Sequence, residues 1–257
     1  MTTDKRDDNG LLNDFQLRNV AILTHLLVHD AVTDEIVENL RKSELDYFSL
    51  LNKYKLLEQK INIDEKTNLL KYRQDYLTDI IKTASRIYYG TDSIDYNVSL
   101  VRFDIDDFSL FNNKYGHEVG DQVLIAIADI IRNNSRPTDY VIRFGGEEFD
   151  VILPSTSMDG TLLYLERVFR EIRNATVEYN AESLGVTVSA GISSAVYNFT
   201  GSKVIESTGT VALFKKMQQE ADDALYEAKY LGKNRYCLHD PSREKEYAAI
   251  RDQYSRK

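Results

Sequence analysis

Residues 140–154, YVIRFGGEEFDVILP, hold two apolar runs apart with a single pair of glycines. Both runs can be buried together only if the chain reverses between them, so the stretch predicts two adjacent antiparallel strands with the glycines at their tip. A two-residue Gly145–Gly146 loop fits a primed hairpin turn, because glycine accepts the positive φ that such a turn demands. The next two residues are Glu147 and Glu148, so the tip carries two carboxylates.

The hairpin sits in a region where strands and helices alternate. YNVSLVRFDID (96–106) sets Val98, Leu100 and Arg102 against Val101, Phe103 and Ile105, the two-residue period of a central strand. Helical spacing follows over 120–132, then the turn RPTD (136–139), the hairpin, a helix near 158–173, a strand over 186–193 and a helix from about 211 to 230 that Gly232 ends. Residues 196–210, rich in Ser, Thr and Gly, read as a long exposed loop. This order predicts an α/β (α+β) domain with a central, mostly antiparallel sheet flanked by helices.

An all-helical extension precedes that domain. From Phe15 to about Ile63 there is neither proline nor glycine, and HDAVTDE (29–35) clusters capping and β-branched residues, so two helices are expected, about 13–29 and 34–63. In the second, Val37, Leu40, Tyr47, Leu51, Tyr54 and Ile61 follow a 3,4 alternation that Glu44 and Glu58 interrupt. A single helix cannot bury such a face, so homodimerisation through these N-terminal helices is expected, with folding back onto the globular part as the alternative. His25 and His29 stand at the i, i+4 spacing of a helical metal pair, but with no cysteine nearby the reading without metal is the stronger one. The division expected is residues 1–63 as helical dimerisation module, 64–240 as the α/β domain and 241–257 as a polar tail.

Composition excludes several classes. A formal charge of -9 over 257 residues argues against a nucleic-acid partner held by its phosphates. Cys237 is the single cysteine, so no internal disulfide forms, and no apolar run has the length of a signal core or membrane span. A cytoplasmic protein without membrane insertion is expected.

Asp104 and Asp106 close one predicted strand, and Glu147 and Glu148 open another. If these strands are neighbours, several carboxylates meet at one end of the sheet, where they would repel one another unless cations intervene. Oxygen ligands without His or Cys suit Mg²⁺ or Mn²⁺, which complete their shells with water and substrate phosphate. That chemistry points to a nucleoside triphosphate.

Three segments then carry a resemblance: Gly145-Gly146-Glu147-Glu148-Phe149, DIDDFSLFNNKYGHEVGD (104–121) and ADDALYEAKYLGKN (221–234). Over about 64–238 the chain resembles the GGDEF domains, diguanylate cyclases that join two GTP molecules into cyclic di-GMP. The resemblance implies two Mg²⁺ (or Mn²⁺) ions per active site, held by Asp104, the Ile105 carbonyl, Glu147 and Glu148. Glu147 would bridge both ions, and either glutamate would take the hydroxyl proton. It implies further that Asp121, with Asn112 beside it, reads guanine; an N-cap role is the alternative for Asp121. Lys229 and Lys233 would meet the β- and γ-phosphates, the amides of Asp107 and Phe108 would cradle the same triphosphate, and Gly145 and Gly146 would border it. Arg136 and Asp139 match an R-x-x-D inhibitory site for the product, with a simple turn as the alternative.

Some positions depart from the family pattern. DEKTNLLKYR (64–73) stands for D-x-L-T-G-L-x-N-R-R, Ser109 replaces a common lysine, Lys233 replaces the commoner arginine, and Asp150 takes a place that is usually apolar. No departure touches the metal carboxylates, so catalysis is expected; the alternative is an inactive cyclic di-GMP receptor or scaffold.

Overall fold

The computed structural model describes residues 33–87, 94–199 and 207–254, together with Arg18, Val20, Ala21, Ile22, Thr24, His25 and Val28. In chain order the elements are α1 (Asp34–Asn62), β1 (Leu70–Lys71), α2 (Tyr76–Ile87), β2 (Ile94–Ile105), α3 (Phe108–Tyr115), α4 (His117–Asn134), β3 (Tyr140–Arg143) and β4 (Glu148–Pro154). Then follow α5 (Met158–Asn174), β5 (Val177–Tyr179), β6 (Glu182–Leu184), β7 (Val188–Phe199), α6 (Ser207–Tyr230), β8 (Tyr236–Leu238), a 3₁₀ turn (Pro241–Arg243) and α7 (Glu244–Tyr254). The chain divides into two units, residues 1–59 and 60–257.

In the first unit the described positions from Arg18 to Val28 are helical. Most of the expected break at 29–35, and His29 with it, lies outside the described residues. Thr33 Oγ1 accepts a hydrogen bond from Ile36 N at 3.3 Å, which caps α1 where the capping cluster predicts a helix start. Val37, Leu45 and Leu50 on α1 remain exposed.

The second unit is built on a six-stranded sheet in the order β1-β3-β4-β2-β7-β8. The β1–β3 and β7–β8 pairs are parallel, while the four strands between are joined antiparallel. The two-residue period of β2 sorts its side chains as expected. Val101, Phe103 and Ile105 join a core with Val123, Ile127 and Ile131 of α4 and Leu165, Val168 and Phe169 of α5. Val98 and Leu100 face the other way, into a core with Leu77 and Ile81 of α2 and Phe214, Met217 and Ala221 of α6. The sheet is thus sandwiched between helices, and burying each large apolar side chain contributes about 1.5–3 kcal/mol. α6 lies against β7 nearly backbone to backbone: a Cβ on Gly191 would sit 1.9 Å from the Ala221 carbonyl oxygen.

Several elements differ from their sequence expectation. The loop expected over 196–210 is shorter at both ends, because β7 continues to Phe199 and α6 begins at Ser207; residues 200–206 lie outside the described residues. Ser194 to Phe199 pair with the first half of β2, and this ladder overrides their polar composition. A turn at 106–107 leads into α3, a helix not expected from the sequence, whose Phe108, Phe111 and Tyr115 recur at helical spacing. Within the segment read as a polar tail, α7 buries Tyr247 to 1% exposure.

Candidate active site

The hairpin predicted from YVIRFGGEEF is present, with Arg143 opposite Phe149, but its turn is not the primed two-residue type. The turn spans 144–147, and neither Gly145 nor Gly146 has positive φ. The amides of Phe144 and Gly145 both donate to the Glu148 carbonyl, at 2.9 and 3.3 Å. Glycine at 145 leaves room for the Glu148 carboxylate in its place: a Cβ there would stand 2.8 Å from Glu148 Oε2 and displace it. Arg143 clamps the turn from outside, donating to the carbonyls of Gly145 (3.2 Å) and Gly146 (2.9 Å) and to Asp64 Oδ1 (2.9 Å).

Sheet register brings the acids together. Asp104 at the end of β2 is directly opposite Glu148 at the start of β4, and Ile105 N donates to the Glu147 carbonyl at 3.3 Å. Burial pushes the Asp104 carboxyl above its ordinary pKa, the charges of Glu147 and Asp106 push the same way, and Lys229 opposes them. Glu148 is likewise raised by burial, against the pull of Arg102, with Asp104 and Asp222 adding to the rise. In both groups burial is the main cause, and the neighbouring carboxylates add to it.

The fourth acid has a different fate. Asp106 accepts from Ser189 Oγ and Thr187 Oγ1, both at 2.6 Å, and from Asn234 N at 3.0 Å. With these donors it ties β7 and the turn after α6 to the end of β2. Lys229 Nζ lies 2.8 Å from Asp104 Oδ2, and Lys233 Nζ lies 2.6 Å from Asp107 Oδ1. Asp107 and Lys233 both hold left-handed backbone, φ 56° and 62°, a conformation that costs a non-glycine residue energy and recurs at functional sites. Asp104–Leu110, Glu147, Lys229 and Lys233 line a cleft of about 210 Å³. Ser109 lines it where the family pattern has lysine, so that wall carries one cation fewer.

Asn112 and Asp121 are outside that lining, on α3 and α4. Since α4 begins at His117, Asp121 is inside the helix and is not its N-cap. Asn112 Oδ1 is buried with no hydrogen-bond donor among the described residues. Arg136 and Asp139 line a separate pocket of about 90 Å³ with Tyr164 and Arg167. They also close a turn: Arg136 N donates to Asp139 Oδ2 at 2.7 Å, and Asp139 N to the Arg136 carbonyl at 3.0 Å. Asp139 Oδ1 stays buried without a donor among the described residues, and burial raises this carboxyl's pKa.

The structure gives Asp150 its account. It is fully buried and takes two hydrogen bonds from its cross-strand neighbour Arg102, at 2.8 and 2.9 Å, with Gln218 Nε2 at 3.2 Å. The Arg102 guanidinium lies 3.8 Å from the centre of the Phe144 ring, beneath the signature turn. Arg102 and Arg143 beside the signature turn and Arg167 in the second pocket are charged residues whose placement sequence reading passes over. The signal for the first was two opposite charges inside otherwise apolar strands.

Residues 61–235 match the family model for the diguanylate cyclase GGDEF domain. The chain belongs to the GGDEF family. It is 38% identical over 141 residues to diguanylate cyclase A of Treponema denticola, covering 55% of this chain and 35% of that one. It is 39% identical over 136 residues to diguanylate cyclase DgcP of Pseudomonas aeruginosa, covering 53% of this chain and 18% of that one. The chain thus spans about a third or less of these relatives. Among solved structures, the coiled coil and GGDEF domain of DgcB from Caulobacter crescentus, in complex with c-di-GMP, matches with TM-score 0.63 at 23% identity. That match covers 80% of this chain and all of that one, and it speaks for the fold. The GGDEF domain of the same protein alone matches at TM-score 0.56 and 26% identity, over 69% of this chain and 95% of that one.

Proposed function

We propose that this GGDEF chain is a diguanylate cyclase, condensing two GTP into cyclic di-GMP with release of two pyrophosphates. The observation that carries the reading is the register of Asp104 with Glu148 across β2 and β4, beside Glu147 and under Lys229. Named diguanylate cyclases at 38% and 39% identity support it.

The donor set fits Mg²⁺ or Mn²⁺: Asp104, the Ile105 carbonyl, Glu147 and Glu148 offer only hard oxygen. Among the described residues no group of three or more such side chains is arranged to hold an ion unaided. Mg²⁺ usually takes one or two carboxylates and completes its shell with water and substrate phosphate. When bound, two such ions polarise the α-phosphate, favour ionisation of the 3′-hydroxyl and neutralise the departing pyrophosphate. Glu147 lines the cleft, Glu148 stands next to it opposite Asp104, and the two are the candidate acceptors of the hydroxyl proton. Lys229 and Lys233 exchange Asp104 and Asp107 for the β- and γ-phosphates, while the amides of Asp107 and Phe108 at the start of α3 bind the same chain of phosphates. Gly145 and Gly146 border the triphosphate without side chains. Asp121 accepts from guanine N1–H and N2–H₂, with Asn112 beside it.

One domain holds one GTP, so each 3′-hydroxyl attacks the α-phosphate carried by a facing domain, and alignment supplies much of the rate. A homodimer through the N-terminal helices brings the domains together. Product binding at Arg136 and Asp139 restrains the enzyme from a pocket that shares no lining residue with the acid cleft. No described helix is long and apolar enough to cross a membrane, which suits synthesis from cytoplasmic GTP.

The test is incubation with GTP and Mg²⁺ followed by mass detection of the cyclic dinucleotide, beside Glu147→Ala. Product from the parent and none from the variant is expected. Dinucleotide binding without any turnover by the parent would instead make the chain a receptor.

A further inference from the structure

Lys66 stands in the turn that opens the second unit, where the family pattern quoted above has leucine. Its Nζ lies 2.5 Å from Asp121 Oδ1, a contact between residues 55 positions apart. The turn that carries it is tightly held. Asp64 Oδ1 accepts from Thr67 N at 2.9 Å and Thr67 Oγ1 at 2.8 Å, and Asp64's carbonyl accepts from Asn68 N at 2.8 Å. Asn68 takes φ 57°, which turns the chain back toward Leu69, itself 2% exposed in the core. Lys66 is therefore presented from a fixed base, and the pair it forms stays open: the two side chains are 40% and 41% exposed.

An exposed ion pair of this kind adds little to folding. Its position gives it another use. The Watson–Crick edge of guanine presents, in order, an acceptor at O6 and donors at N1 and N2. A carboxylate matches the two donors and leaves O6 without a partner. An ammonium keeps donors to spare after bonding one carboxylate oxygen, and next to that carboxylate it completes the pattern. Adenine presents an amine in place of O6, donor facing donor.

We infer that Lys66 is a specificity-determining residue of this cyclase, its ammonium donating to guanine O6 while Asp121 accepts from N1–H and N2–H₂. The inference rests on the base-reading role proposed for Asp121. Lys66 then distinguishes this chain from relatives with leucine there, adding a charged hydrogen bond to base recognition.

The test uses the full chain and α,β-methylene triphosphates, which bind without turnover, measured by calorimetry. Three are compared: the guanosine compound, its 6-thio analogue, whose sulfur is a poorer acceptor, and the inosine compound, which lacks the 2-amine. The parent is expected to prefer the guanosine compound over both analogues. Lys66→Met should weaken guanosine binding about tenfold and abolish the preference over the 6-thio compound, since hydrogen bonds to charged groups carry that order of energy. The preference over inosine should survive, and Lys66→Arg should restore the 6-thio preference. Unchanged or tighter guanosine binding by Lys66→Met, or an unchanged 6-thio preference, would overturn the inference and leave Lys66 as a cover over Asp121. A different failure exposes the underlying reading: if Asp121→Asn alters neither guanosine binding nor the preference over inosine, Asp121 does not read the base, and the role of Lys66 falls with it.

Discussion

Arg102 and Asp150 show how much a single buried charge depends on its partner. Removing Asp150 strips Arg102 of its two buried hydrogen bonds and leaves it the longer pair with Asp222 at 3.6 Å, so Asp150→Val should cost up to about 3–5 kcal/mol in urea unfolding, whereas Arg102→Leu with Asp150→Val should stand closer to the parent. The same double variant takes away the cation under Phe144, so its turnover is expected to fall even where its stability does not. Gly145 gives the converse separation. An added Cβ meets only the mobile end of Glu148, so Gly145→Ala should fold normally. The displaced carboxylate should lower kcat by about a hundredfold, the scale of an ångström's misplacement. At this scale the sequence was legible for the acids, whose place at a strand end and a hairpin tip follows from alternation and turn composition. It was silent on backbone angles. Glycine at 145 reads as a need for positive φ and turns out to be a need for space.

Elements carry the acids to one another. Asp64, just after α1, joins Arg143 and through it the carbonyls of the signature turn. Burial works to raise its pKa, yet the hydrogen bonds from Thr67 and Arg143 outweigh it and the carboxyl is held below its ordinary value. A depressed carboxylate stabilises the fold above the unfolded value near 3.9 and loses that contribution as pH falls through the folded one. Asp64→Asn should therefore be less stable than the parent at neutral pH, with the difference closing below about pH 4 in acid unfolding. β7 and α6 meet at Gly191, where backbone atoms cannot give way. Gly191→Ala is expected to lose about 1–3 kcal/mol or more in thermal unfolding and to move Lys229 with its helix. Strand periodicity made β2, β3 and β4 readable, while α2 and α3 had apolar spacing that passed unread beside the motifs. The end of β7 was not readable at all, because its ladder depends on the length of a strand some 90 residues away.

For the whole molecule, the proposed reaction would require two domains that each bear negative charge to meet with their nucleotides facing. Tethering by the N-terminal helices would replace that encounter with a local concentration in the millimolar range. A fragment starting at residue 60 should bind the methylene GTP analogue like the full chain, yet its turnover per subunit should rise with protein concentration where the full chain's stays level. Dilution series of the two would check this. Which domains pair is invisible in a single chain, since the exposed apolar residues of α1 are what a pairing would cover and leave its geometry open.

The far end of the chain has its own bearing on the cleft. Arg243 meets Glu227 at 2.6 Å and Arg251 meets Asp223 at 3.1 Å, while the Tyr247 ring stacks on His239 with ring centres 4.9 Å apart. These contacts splint α6 within two turns of Lys229. Whatever loosens the splint, whether a cut, a modification or a competitor for those two acids, would free the end of α6 that sets Lys229 against Asp104, so that, on the proposed mechanism, the C-terminal helix would be a handle for setting the rate from outside.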